Sequence, residues 1–205
     1  MKRMMICLVV LGTMLAAGLP VRALNQEDTP RLTCQGPAHI LLAGLAFEKS
    51  AMDETTCAAY YVPQASATQK IQHPWLPWAS VSTQLIPQAH EDLRYTLQPF
   101  IPSGATLKGF NHQNPDDILS TYQVIKRAEQ ADELHFLLLR AVRQEDGSAG
   151  VYMLDITVTA SPKPATGYNE RNKGPYERTY DTFNQMTRTY RQEWITLLES
   201  LQLEN

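Results

Sequence analysis

Apolar and polar positions alternate along this chain with changing periods. Toward the C-terminus, Phe183, Met186, Tyr190, Trp194, Leu197 and Leu201 recur every three or four residues, the spacing of one helical face. Pro175 suits a first helical turn, where its missing N–H costs nothing, so a long helix is predicted from Pro175 to about Leu203. Upstream, three strand-like runs cover Ile118–Arg127, Glu133–Arg143 and Val151–Ala160, with connectors short enough for antiparallel hairpins. In the third run Tyr152, Leu154, Ile156 and Val158 point one way, while Asp155, Thr157 and Thr159 point the other. That pattern predicts a sheet wet on one face. The middle run is apolar on both faces from Leu134 to Leu139, as a central strand would be.

The first half is less regular. Thr55–Val62, Trp78–Ile86 and Leu93–Leu97 read as strands stopped by prolines. Pro37 followed by Ile40, Leu41, Leu42, Ala43, Leu45, Ala46 and Phe47 fits a buried helix ending near Asp53. A buried strand over 38–47 is the alternative, because a continuous apolar run has no period to decide between them. Residues 63–77 and 161–174, rich in Pro and polar residues, read as loops. The expected fold is α+β: an antiparallel sheet with the long C-terminal helix packed on one face and a shorter N-terminal helix. Residues 24–205 are read as one such domain.

The N-terminus carries a different signal. Lys2 and Arg3 precede an almost wholly apolar run over 4–17, and Val21-Arg22-Ala23 offers small residues at the positions a signal peptidase reads. A secretory signal peptide over 1–23 is predicted, cleaved between Ala23 and Leu24, giving a secreted or periplasmic protein. The run is too short to span a bilayer comfortably and no second one follows, so no transmembrane segment is expected after cleavage. Export to an oxidising compartment predicts that Cys34 and Cys57 form a structural disulfide.

Composition narrows the field of functions. The chain has 205 residues, is 43% hydrophobic and 19% charged, and carries a formal charge of −3. Disorder and a disulfide-dense miniprotein are excluded, and with no basic run nucleic acid is not an expected partner.

Candidate chemistry is sparse. The five histidines are scattered and form no H-E-x-x-H pair. His112 with Asp116 or Asp117 has the residue types for acid–base work, but Asn114-Pro115-Asp116 is also turn chemistry. Gly147-Ser148-Ala149-Gly150 has the wrong spacing for a nucleophile elbow. No phosphate loop, dinucleotide fingerprint or calcium loop is present, so no cofactor and no metal are expected. Recognition chemistry is better represented. Trp75 and Trp78 lie in a Pro-rigid segment, and the loop carrying Lys163, Tyr168, Arg171 and Lys173 is locally basic.

The expectation is an exported, non-catalytic binding protein of accessory, inhibitor or immunity type, meeting another envelope or secreted protein. The alternatives are an envelope-acting hydrolase using His112, Asp116 and Asp117, and an envelope-assembly component.

Overall fold

Leu134, Phe136 and Leu138 face one way and Leu137 and Leu139 the other, and every one of these side chains is buried. Such a strand needs cover on both faces, and the computed structural model supplies it. The structure describes residues 38–42, 45–53, 57–63, 77–163 and 174–201. Eight strands occur among them: β1 (His39–Leu42), β2 (Leu45–Asp53), β3 (Ala58–Pro63), β4 (Trp78–Ile86), β5 (Thr106–Asn114), β6 (Asp117–Lys126), β7 (Glu133–Arg143) and β8 (Ala149–Thr159). They form one antiparallel sheet in the order β1-β2-β3-β4-β8-β7-β6-β5. Two four-strand meanders therefore meet at β4 and β8, leaving β1 and β5 as the edges.

The long helix α2 (Pro175–Glu199) packs on one face. Phe183, Met186, Trp194 and Leu198 descend into a core with Tyr61, Phe136, Leu138, Tyr152, Leu154 and Ile156. The predicted stripe is correct in phase, with Tyr190, Leu197 and Leu201 partly buried at its margins. Each fully buried large side chain contributes about 1.5–3 kcal/mol.

The opposite face is covered by a short helix α1 (Leu93–Leu97) and a 3-10 turn over Gln98–Phe100. This segment carries the chain from central β4 across the sheet to edge strand β5. Leu93 and Leu97 pack there against Ile118, Leu137, Leu139 and Val151. Part of the face expected to be wet is thus a second core.

Two further expectations are corrected. Residues 38–53 form the β1–β2 hairpin instead of a helix, with Leu42 paired to Leu45. The strand alternative holds for this run, because pairing His39–Leu42 with residues 45–48 sets Ile40 beside Phe47 and buries both. Leu93–Leu97 is helical instead of extended because Asp92 caps it, its side chain accepting from the Arg94 amide at 3.0 Å. Leu93 and Leu97, four apart, then share the buried side. Strand β5 had no counterpart in the sequence reading. The signal peptide (1–23) and Cys34 lie outside the described residues; Cys57 stands just before β3 with a positive φ of 52°.

Candidate binding site

The candidate acidic residues meet arginines. Asn114 pairs with Asp117 across a two-residue turn, as the Asn-Pro-Asp sequence implied. Asp117 accepts from Arg140 Nε at 2.9 Å and Nη2 at 2.8 Å, an interaction that keeps the guanidinium charged. Arg140 Nη1 donates to the carbonyls of Leu198, Glu199 and Leu201 at 3.3, 2.9 and 3.2 Å. It thereby caps the C-terminus of α2, where carbonyls lack helical partners and the dipole favours a cation. Asp116 orients a second arginine, which braces the loop just ahead of α1. It accepts from Arg143 Nε at 2.9 Å, and Arg143 Nη2 donates to the carbonyls of His90 and Glu91 at 2.9 and 2.6 Å. Both carboxylates are committed to orienting arginines, one at the end of α2 and one at the loop before α1. His112 stands in β5, and its side chain lies outside the described residues.

Lys163 is also committed. Its Nζ lies 3.0 Å from Asp132 Oδ1. Asp132 is fully buried, and its Oδ2 also accepts from Arg127 at 2.8 Å and from the hydroxyls of Tyr176 and Tyr180 at 2.5 Å each. Burial alone would raise the Asp132 pKa. The two tyrosine hydroxyls and the Lys163 ammonium outweigh it and hold the carboxyl well below the usual carboxylate range. Burial, reinforced by this hydrogen bond, pushes the Tyr180 phenol far up. The group ties the β6–β7 connection to the first turns of α2. Trp75, Tyr168, Arg171 and Lys173 lie outside the described residues.

One histidine sits in a polar cluster. Buried His135 places Nδ1 3.0 Å from both Asp155 Oδ2 and Thr157 Oγ1, with Nε2 3.4 Å from Glu133 Oε2. A hydroxyl nucleophile and its orienting carboxylate would occupy opposite ring nitrogens. Here Asp155 shares Nδ1 with Thr157, whose fully buried hydroxyl also donates to Asp155 Oδ1 at 3.2 Å, so the cluster offers no exposed nucleophile.

The binding geometry lies between α1 and the sheet. A cleft of about 470 Å³ opens there, lined by Tyr95, Leu97 and Ile101 on one side and by Leu107, Phe110, Ser120 and Tyr122 on the other. Leu107 is 53% exposed and Tyr95 58%, and with exposed Arg94 and Gln98 they form a mixed rim around a mostly apolar interior. The Ser120 hydroxyl lines the cleft fully buried, with no hydrogen-bond partner among the described residues. A buried hydroxyl without a partner is costly, and a ligand's polar atom would relieve it. Beside the cleft runs β5, the edge strand, with irregular register at Leu107/Gly109 and Asn111/Asn114. Half-buried Trp78 and exposed Tyr60 and Val62 belong to the same face. One transverse row runs Tyr60, Ser80, Asp155, Leu137, Tyr122 and Leu107, so they and the cleft occupy opposite ends of it.

Two parts of this site, α1 and edge strand β5, were not expected from the sequence, whereas β6 was expected as a strand. Asp92 followed by Leu93 and Leu97 is a helix-start signal that would have supplied α1. No known protein family, curated protein or solved structure matches this chain.

Proposed function

We propose that this is an exported, non-catalytic binding protein that takes an apolar segment of a protein partner into the cleft between α1 and β5–β6. The observation that carries the reading is the cleft itself: exposed Leu107 and Tyr95 at its rim, a mostly apolar interior and one buried hydroxyl without a partner among the described residues. Peptide recognition at a sheet edge uses these parts, with pockets selecting side chains and the edge strand offering backbone groups. The proposed signal peptide would direct the encounter to the secreted or periplasmic compartment, where a Cys34–Cys57 bridge would tie the N-terminal segment to the start of β3. An unchanged mass on alkylation without reductant, and a gain of two alkyl groups after reduction, is the expected result for that bridge.

The function is tested by cross-linked capture from the native envelope fraction, comparing the natural protein with Leu107→Asp and with Gln185→Asp, a control on the exposed side of α2. One stoichiometric partner kept by the control and lost with Leu107→Asp is expected. Equal capture by both variants would remove the cleft from the account. The hydrolase reading gains no comparable support, because Asp116 and Asp117 are both held by arginines.

A further inference from the structure

Behind edge strand β5, on the face that α2 covers, lies a second hollow of different chemistry. It has a volume of about 320 Å³ and is lined by Lys108, Gln123, Phe136, Asn184, Thr187, Arg188 and Arg191. Three of these side chains are cationic and none is acidic, in a chain whose formal charge is −3. Among the described residues, Lys108, Arg188 and Arg191 make no ion pair. Asp132, Asp117 and Asp116, by contrast, each hold at least one cation elsewhere in the protein.

The cations are also positioned. Arg191 lays its guanidinium against the backbone of Gly109. A Cβ at residue 109 would lie 1.8 Å from Arg191 Nη2 and 2.8 Å from its central carbon. Gly109 is therefore the space that lets the guanidinium rest on β5. Arg191 Nε is buried and has no hydrogen-bond partner among the described residues. At the hollow's margin the Gln123 amide donates to Asn184 Oδ1 at 3.0 Å, and the Thr187 hydroxyl donates to the Asn184 carbonyl at 3.1 Å. The Thr187 oxygen and amide N–H groups complete a polar wall around the charges.

We infer that this hollow is an oxyanion site, taking a phosphate or sulfate group carried on a small organic body. Guanidinium groups lining one hollow match such anions through paired N–H donors, and Lys108 adds a point charge. The anion would relieve the mutual repulsion of Lys108, Arg188 and Arg191. This inference is independent of partner capture in the α1 cleft, which lies on the other face of β5.

The test is a calorimetric titration of the full chain with inorganic pyrophosphate, against sodium chloride matched in ionic strength. Saturable binding above the chloride control is expected, weakening as salt rises. Arg188→Glu, on an exposed position of α2, should weaken it by about tenfold or more, and Gly109→Ala should do so by displacing Arg191. A melting temperature for each variant separates loss of the site from loss of the fold; Arg188→Glu is expected to keep it. A second arm uses phosphatidylcholine vesicles with and without phosphatidic acid. Cosedimentation that needs phosphatidic acid and is lost in Arg188→Glu assigns the phosphate to a lipid headgroup. Pyrophosphate binding without cosedimentation assigns it to a soluble ligand. Pyrophosphate and phosphatidic acid binding both no stronger than their controls, or both unchanged in Arg188→Glu, would overturn the proposal.

Discussion

The two faces of the sheet are covered in unequal ways. On one, a helix of 25 residues lays Phe183, Met186, Trp194 and Leu198 along a continuous core and is held at both ends, by Asp132 near its start and Arg140 at its finish. On the other, a helix of five residues and a 3-10 turn cover part of the surface and leave a cleft beside the edge strand. The first face has almost no freedom to change without loss of stability. The second has residues, such as Leu107, whose side chains contribute little to the fold and have no evident reason to be apolar except contact with something else. Stability is thus concentrated on the α2 face and the proposed partner capture on the α1 face, with the cationic hollow at the margin of the α2 face.

That separation breaks most visibly at Trp194. Fully buried against Phe136 at a ring distance of 5.2 Å, it should cost about 3–5 kcal/mol when replaced by alanine. Chemical denaturation would check the value, and a loss below about 1 kcal/mol would mean that α2 is not the principal cover.

Asp132 comes next. Asp132→Asn leaves Arg127, Lys163 and two tyrosine hydroxyls around a neutral amide, and a cost of about 3 kcal/mol at neutral pH is expected. The pH dependence has a definite sign. Because the folded carboxyl titrates below its ordinary value of 3.8, its stabilisation is complete above that pH and drains away as pH falls through and below it. The natural protein should therefore lose stability steeply in that acid range, and Asp132→Asn should show a shallower slope. Parallel acid profiles for the two proteins would contradict the assignment.

The opposite face should respond weakly. Ser120→Ala removes a hydroxyl that has no partner, so stability should be unchanged or raised by up to about 1 kcal/mol. A clear loss would show that the hydroxyl is satisfied within the free protein. The smallest effect is expected for Leu107→Asp, within about 0.5 kcal/mol by thermal melting, while partner capture is lost.

Much of this architecture was legible because local pattern and tertiary environment agree. Glu133–Arg143 was legible to the residue because short polar connectors on both sides suit hairpins, and α2 announced itself through its stripe and Pro175. The failures lie where pattern and environment diverge. Residues 40–47 are apolar at nearly every position, a composition that helix and hairpin share, and the pairing of Leu42 with Leu45 depends on contacts the local sequence does not contain. Leu93-Arg94-Tyr95-Thr96-Leu97 alternates like a strand, yet the Asp92 cap and the underlying sheet make it helical. Strand β5, Thr-Leu-Lys-Gly-Phe-Asn-His-Gln-Asn, is polar because it is an edge. Since β5 separates the apolar cleft from the cationic hollow, missing it concealed both. Asp116 and Asp117 were noticed for the right reason, their density of charge, but their work is to orient Arg143 and Arg140.

The most direct test of recognition through the α1 face is site-specific photocrosslinking in the envelope, with the photoreactive residue placed at position 107 or at position 185. The account predicts one dominant adduct from position 107 and none from position 185. An adduct from 185 alone, or equal adducts from both, would contradict it.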